Sequence, residues 1–145
     1  MRYQYADKLN LEFFTGDIIL ADFCNNVGHQ QGGIRPALIV SNNVGNVKSP
    51  MLEVLPITTK RIGSRLPTHV ILEADETNGL KYDSTVEAEG KIPINKFQVI
   101  KKLGKISEEK LGLVAVAMVY ATPIVVKAFN KGIQDTQFFQ NLYNA

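Results

Sequence analysis

The chain is predicted to be a mainly β protein, a small barrel or sandwich with one helix late in the sequence. Short apolar segments follow one another at regular spacing, separated by glycine, proline and asparagine. A segment with clear helical start and stop signals follows residue 106. With 145 residues, the chain has the length of one ordinary domain and can bury a real core.

Six strands are predicted from segments that are apolar and end at turn signals. They are residues 17–23, 37–40, 51–58, 68–73, 84–88 and 97–103. Segment 37–40 is dense enough in apolar residues to be buried on both faces. Pro56 indicates an edge strand or a bulge, and Pro93 indicates a turn before the last strand.

The helix is predicted to begin after Ser107 and to end near Ala121. Ser107 is a typical N-cap, Glu108 and Glu109 suit the positive end of the helix dipole, and Pro123 stops the helix. Its apolar residues form two stripes, Leu111, Val114, Ala115 and Met118 on one side and Leu113, Val116, Ala117 and Tyr120 on the other. A helix that is apolar on nearly all sides must be covered on more than one side, so we expect one side to pack on the barrel and the other on a second subunit.

Composition limits the classes of partner. The net charge is +2, from 16 basic and 14 acidic residues, so binding to nucleic acid would need a local basic patch. The single cysteine, Cys24, is interpreted as a buried thiol, and His29 and His69 lie too far apart for a metal motif, so no metal or cofactor is expected. We find no secretory signal in residues 1–14, and residues 111–126 are short for a membrane span, so the cytoplasm is the expected location.

The most informative segment is residues 28–36, Gly-His-Gln-Gln-Gly-Gly-Ile-Arg-Pro, between two predicted strands. Its glycines allow a tight turn, and Pro36 forces Arg35 into an extended conformation. A planar, permanently charged guanidinium held at the base of a strand suits a phosphate-binding site. Taken alone, the segment is read more simply as a hairpin loop with an incidental arginine.

Other residues could converge on Arg35. Thr58 ends the third predicted strand, and the following loop adds Lys60, Arg61 and Arg65. A guanidinium and a hydroxyl aimed at one point could hold a phosphodiester, and the basic loop could follow a single strand of nucleic acid. Each residue also has a plainer reading, as a β-branched strand residue or as a solvated loop.

Three further polar residues complete the candidate set. His29 could carry a proton within the turn, beside Gln30 and Gln31. Glu89 could place a carboxylate near the same end of the barrel, although an exposed strand residue is the plainer reading. A lone histidine that enters a strand, as His69 does, is more often structural than catalytic.

The ordered segments together resemble the MazF/PemK family of toxin endoribonucleases from bacterial toxin–antitoxin pairs. The resemblance covers roughly residues 16–121. Its motifs are Gly16-Asp17-Ile18, residues 28–46, Ser49-Pro50, residues 56–59, residues 66–70, and Gly79-Leu80 with Asp83-Ser84. We treat residues 1–145 as a single MazF/PemK-like domain, with an N-terminal extension over 1–14 and a tail over 124–145.

The resemblance implies a homodimer of small SH3-like barrels of the PemK/CcdB type, each with a C-terminal helix. It implies metal-independent, sequence-selective cleavage of single-stranded messenger RNA, giving 2′,3′-cyclic phosphate and 5′-hydroxyl ends, and a cognate antitoxin as partner. The essential arginine and threonine of the family fall on Arg35 and Thr58, and Gln31 matches a glutamine of the same turn.

Two departures from the family pattern leave alternatives open. Many relatives have a glutamate where this chain has Gln30, which cannot act as a carboxylate base. Where relatives often read Leu-Glu-Gln-Ile-Arg, residues 88–92 read Ala-Glu-Gly-Lys-Ile, and Lys91 is a point charge rather than a bidentate fork. A weak or inactive module that binds RNA or antitoxin is therefore the alternative. A CcdB-like gyrase inhibitor is disfavoured because the chain has no tryptophan.

Overall fold

The computed structural model describes residues 11–24, 32–60 and 63–127. Its strands are β1 Asp17–Asp22, β2 Ile34–Ile39, β3 Met51–Thr58, β4 His69–Leu72, β5 Ser84–Glu87, β6 Ile92–Asn95 and β7 Val99–Lys105. Its helices are α1 Asn43–Lys48 and α2 Glu108–Ala121, and single 3-10 turns span Ala88–Gly90 and Lys96–Gln98. The predicted mainly β fold with a C-terminal helix is confirmed.

All strand pairs in this sheet are antiparallel, in the order β4-β5-β3-β2-β1-β7. The central strand is β3, which pairs with β2 along one edge. Along its other edge β3 pairs first with β6 and then, at its last two residues, with β5. The pairing of β3 therefore changes from β6 to β5 between Val54 and Ile57, and Thr58, the last residue of β3, pairs with Thr85 of β5.

Two proline predictions are corrected by this topology. Pro56 does not mark an edge strand, because it lies in central β3 between the stretch paired with β6 and the stretch paired with β5. It does not mark a bulge against β2 either, because its register with that strand is unbroken. The 3-10 turn at Ala88–Gly90 packs against it, so a Cβ on Gly90 would lie 2.9 Å from the Pro56 ring. Pro93 does not make a turn, because it lies inside β6 opposite Glu53.

The β1–β2 hairpin is longer than predicted, and this decides the position of Arg35. β2 begins at Ile34 rather than at residue 37, with Ile34 opposite Asp22 and Arg35 opposite Ala21. Arg35 thus belongs to a regular strand that is paired with its neighbour. Cys24 follows β1 and is partly exposed, so the predicted burial of its thiol is wrong.

The core lies on both faces of the sheet. Adjacent residues of β1 point to opposite faces, so Ile18 packs toward α2 while Ile19 packs into a second cluster with Phe13 and Leu52. Ala37, Leu38 and Ile39 are completely buried, which confirms that this segment is covered on both faces.

Helix α2 covers one face of the sheet. It begins as predicted, with the Ser107 hydroxyl accepting a hydrogen bond from the Lys110 N–H at 3.2 Å. The predicted stripes differ from the structure at two alanines, because Ala117 is buried beside Val114 whereas Ala115 is exposed. The outer stripe of Leu113, Val116 and Tyr120 is uncovered in the single chain, at 49%, 56% and 60% exposure. In the described residues no helix is long and apolar enough to cross a membrane.

Candidate active site

A cavity of about 440 Å³ opens where β2 begins and β3 ends, and this is the candidate active site. The loop before β5 and one face of β7 form its far wall. Its apolar lining consists of Leu20, Ile34, Pro36, Ile57, Leu80 and Leu103. Its polar lining consists of Arg35, Thr58, Thr59, Lys60, Lys81, Tyr82, Ser84 and Lys101. This volume and this mixture of surfaces are typical of a small-ligand site.

Arg35 lies in the second position of β2, and its side chain lines the cavity. Its Nε donates a hydrogen bond to the Gly32 carbonyl oxygen at 3.0 Å. The strand fixes the backbone of Arg35, and this bond fixes the direction of the guanidinium. A charged group held in this way loses little conformational freedom when an anion binds.

Thr58 is the last residue of β3 and is 7% exposed. Its hydroxyl oxygen accepts a hydrogen bond from the Lys60 N–H at 3.2 Å. A hydroxyl has one proton to donate and two positions to accept, so this bond leaves the proton of Thr58 able to point into the cavity. The same bond fixes Lys60, whose side chain also lines the cavity.

The described lining of the cavity is strongly positive. It contains the four cations Arg35, Lys60, Lys81 and Lys101 and no carboxylate. The whole chain has 16 basic and 14 acidic residues, so this separation of charge is local. A concave surface with one sign of charge and apolar walls concentrates anions.

Sequence reasoning placed Arg35, Thr58 and Lys60 together, and the structure does bring them to one cavity. It missed Lys81 and Tyr82, in the loop before β5, and Lys101, in β7. One available signal was the alternation along β7, which puts Lys101 on the same face as the apolar Leu103.

His69 and Glu89 contact each other and do not line this cavity. The His69 side chain is 2% exposed, with Nε2 2.5 Å from the Glu89 carboxylate and Nδ1 2.6 Å from the Ser64 hydroxyl. Burial of Glu89 favours its neutral form. Hydrogen bonds to its carboxylate from its own backbone, from His69 and from Thr68 outweigh that burial and hold the pKa of Glu89 below its usual value. The pair ties the first residue of β4 to the 3-10 turn after β5, and the Ser64 contact adds the loop before β4.

The remaining predicted residues lie elsewhere or outside the described chain. Lys91 is 3.6 Å from the Glu53 carboxylate on an exposed surface, and Arg65 is exposed in the loop before β4 without lining the cavity. His29, Gln30, Gln31 and Arg61 lie outside the described residues. The roles predicted for all these residues stay predictions.

Solved structures share this fold. MazF (Form-I) from Deinococcus radiodurans superposes with a TM-score of 0.64 at 22% identity, covering 76% of this chain and 96% of that one. An endoribonuclease in complex with its cognate antitoxin, from Mycobacterial species, superposes with a TM-score of 0.61 at 22% identity, covering 75% and 93%. At these identities the likeness concerns the fold.

Comparison of sequences shows a relationship to known proteins as well as a shared fold. Endoribonuclease EndoA of Bacillus subtilis is 35% identical over 103 residues, which cover 71% of this chain and 88% of that protein. The sequence profile described as "PemK-like, MazF-like toxin of type II toxin-antitoxin system" matches residues 15–119, which include β1 to β7 and most of α2. The chain therefore belongs to the PemK-like, MazF-like toxin family of type II toxin–antitoxin systems.

Proposed function

We propose that this protein cuts single-stranded messenger RNA at a short sequence, without a metal ion, as the toxin of a toxin–antitoxin pair. The enzyme class itself follows from the family, and the chain is an endoribonuclease of that family. The proposed substrate and mechanism rest on the observation that Arg35 and Thr58 line the same cavity.

The proposed reaction transfers a phosphoryl group within the RNA, from the 5′-oxygen of one nucleotide to the 2′-oxygen of the nucleotide before it. The ribose 2′-oxygen attacks the adjacent phosphorus and loses its proton, and the bond from phosphorus to the 5′-oxygen breaks. The leaving oxygen takes up a proton, so the products are a 2′,3′-cyclic phosphate and a 5′-hydroxyl. Negative charge on the non-bridging oxygens rises in the five-coordinate transition state, and that charge is what the protein must stabilise.

Arg35 and Thr58 suit two parts of this task. The Arg35 guanidinium can donate two parallel hydrogen bonds to phosphate oxygens, and its charge stabilises the transition state. The Thr58 hydroxyl accepts a hydrogen bond from the Lys60 N–H, so its own proton can form a third hydrogen bond to a phosphate oxygen. The proposal assigns charge stabilisation and phosphate binding to these residues and assigns no residue as the base.

The proposal includes two partners, a second copy of the chain and a cognate antitoxin. The apolar outer stripe of α2 supports the first, because three large apolar side chains on it are exposed in the single chain. The antitoxin complex of the Mycobacterial endoribonuclease with this fold supports the second. We place the protein in the cytoplasm, where messenger RNA is available.

The test uses purified protein, a long single-stranded RNA and a metal chelator, with both ends of each product mapped. Wild type should give cyclic-phosphate and 5′-hydroxyl ends at a recurring short sequence. Arg35→Ala should cut at least about a hundredfold more slowly, since removal of one donor to a developing oxyanion typically costs that much.

The cleavage rate of Arg35→Lys should fall between those of wild type and Arg35→Ala, because lysine keeps the charge but loses the bidentate geometry. Lys48→Ala, an exposed cation on α1 outside the cavity, is the matched control and should cut as wild type does. Equal cutting by Arg35→Ala, or an absence of cyclic-phosphate ends with wild type, would contradict the proposal.

A further inference from the structure

The far wall of the cavity, formed by Lys81, Tyr82 and Lys101, is assigned no role by family membership or by the proposed reaction. We propose that this wall binds the nucleotide next to the cut, with an unpaired base stacked on Tyr82 and its phosphate held by Lys81 and Lys101. The inference rests on the proposed RNA substrate and extends it to a second subsite.

Charge is the first argument for this assignment. Lys81 and Lys101 line the same cavity as Arg35, and the described lining contains no carboxylate. Consecutive phosphates of a single strand need more than one cation, since each linkage carries its own charge. A second pair of cations in the same cavity as Arg35 therefore matches a polyanion better than a single small anion.

The exposed ring of Tyr82 also favours an unpaired base as the ligand. Tyr82 is 70% exposed although it lines a cavity that also contains six apolar side chains. Aromatic side chains displayed beside a cationic groove are how proteins hold unpaired bases, because every base offers a face for stacking. Apolar residues of the same lining, such as Leu80 and Leu103, can give the stacked base a further surface to contact.

The loop that carries Lys81 and Tyr82 is held against β7, the strand that carries Lys101. Gly79 has φ of +69°, and a Cβ there would lie 2.0 Å from the Leu103 carbonyl oxygen, so the loop lies directly on the backbone of β7. The buried Asn78 donates to the Glu73 carbonyl at 2.7 Å and accepts from the Leu80 N–H at 3.0 Å. A platform that is ordered before binding costs less entropy when RNA is bound.

Binding can be measured apart from cutting with a labelled RNA pool of about 15 nucleotides in which every 2′-hydroxyl is methylated. Methylation removes the attacking group, so the pool reports affinity alone. Tyr82→Ala should weaken binding about tenfold, whereas Tyr82→Phe, which keeps the ring, should stay within about twofold of wild type. Because Tyr82 is largely exposed, neither change disturbs the core.

The lysines are tested by the salt dependence of binding. Lys81→Gln and Lys101→Gln should each lower the slope of log affinity against log salt by about 0.7, the value for one phosphate contact on a single strand. Lys48→Gln removes a charge outside the cavity and should leave the slope unchanged. The inference would be overturned if Lys48→Gln lowered the salt slope as much as the two cavity variants do. It would also be overturned if Tyr82→Ala, Lys81→Gln and Lys101→Gln all bound RNA as wild type does.

The same proteins, given unmethylated RNA, separate this inference from the proposed reaction. If wild type binds through Tyr82 but does not cut, the reaction is wrong and the subsite stands. If wild type cuts while the Tyr82 and lysine variants bind normally, the reaction stands and the subsite is wrong. If wild type does not bind the methylated pool at all, the subsite is wrong.

Discussion

At the scale of single residues, the candidate site depends on side chains whose directions are fixed before substrate arrives. Arg35 is held by the Gly32 carbonyl and Thr58 by the Lys60 N–H, and both bonds are local in the chain. Short-range bonds of this kind position a group without needing the core to change. The catalytic assignment of each residue can therefore be tested by substitutions that leave the fold intact.

Thr58→Val is the sharpest such substitution. Valine keeps the branched shape that suits the end of a strand and removes the hydroxyl, so a purely structural Thr58 would tolerate it. We expect single-turnover cleavage to fall about a hundredfold. We expect the free energy of unfolding to change by no more than about 1 kcal/mol. Thr58→Ser, which retains the hydroxyl, should recover most of the rate, and a fast Thr58→Val enzyme would remove the hydroxyl from the mechanism.

Glu89 gives a prediction about stability and pH. Its pKa is lowered in the folded protein, so its contribution to stability is fully present above the unfolded value, near 4.5, and is lost as the pH falls through the folded value. Glu89→Gln should therefore be less stable than wild type at neutral pH, and the difference should shrink below about pH 4.5. Urea denaturation across the pH range measures this.

Glu53→Gln is the control for Glu89, since its carboxylate makes an exposed contact with Lys91 at 3.6 Å. Exposed ion pairs contribute little, so its effect on the free energy of unfolding should be small throughout the pH range. A difference between Glu89→Gln and wild type that stays constant from neutral pH to pH 3 would show that the hydrogen bonds of Glu89 do not carry the effect.

At the scale of elements, the cavity depends on how closely the loop before β5 lies on β7. Gly79 and Gly104 make this possible, because a Cβ on Gly104 would lie 2.1 Å from the Thr77 carbonyl oxygen. The Lys105 N–H also donates to that oxygen at 3.0 Å. The loop and the strand thus behave as one unit, and Lys81 and Lys101 are kept on the same wall.

Two glycine-to-alanine changes should have opposite signs. Gly79→Ala combines a positive φ with backbone overlap at Leu103, so it should destabilise by more than about 2 kcal/mol and weaken RNA binding. Gly112→Ala lies in α2, and apart from the adjacent helix backbone no atom of the described residues lies within 4 Å of the added methyl group, so it should stabilise by about 1 kcal/mol. Chemical denaturation of both variants checks the signs, and a neutral Gly79→Ala would show that the loop can move away from β7.

At the scale of the whole molecule, most of the fold was predictable from local patterns. β3 and α2 were located at their observed ends because a mainly apolar run after Pro50 and a serine cap with a following proline are strong local signals. Helix α1 and β6 were missed, since α1 contains glycine and asparagine and β6 contains Pro93. The far wall of the cavity was also missed, because the contact between the loop before β5 and β7 joins segments that sequence spacing does not relate.

The outer stripe of α2 leads to a prediction about assembly. Val116 is 56% exposed on that stripe, whereas Val47, on α1, is 72% exposed and lies outside it. If the stripe packs against a second copy, Val116→Glu buries an unpaired charge in the interface and should convert a dimer into monomers at micromolar concentration. Val47→Glu adds the same charge and should remain dimeric. Sedimentation velocity distinguishes these outcomes, and either a monomeric wild type or a dimeric Val116→Glu would exclude this stripe as the dimer interface.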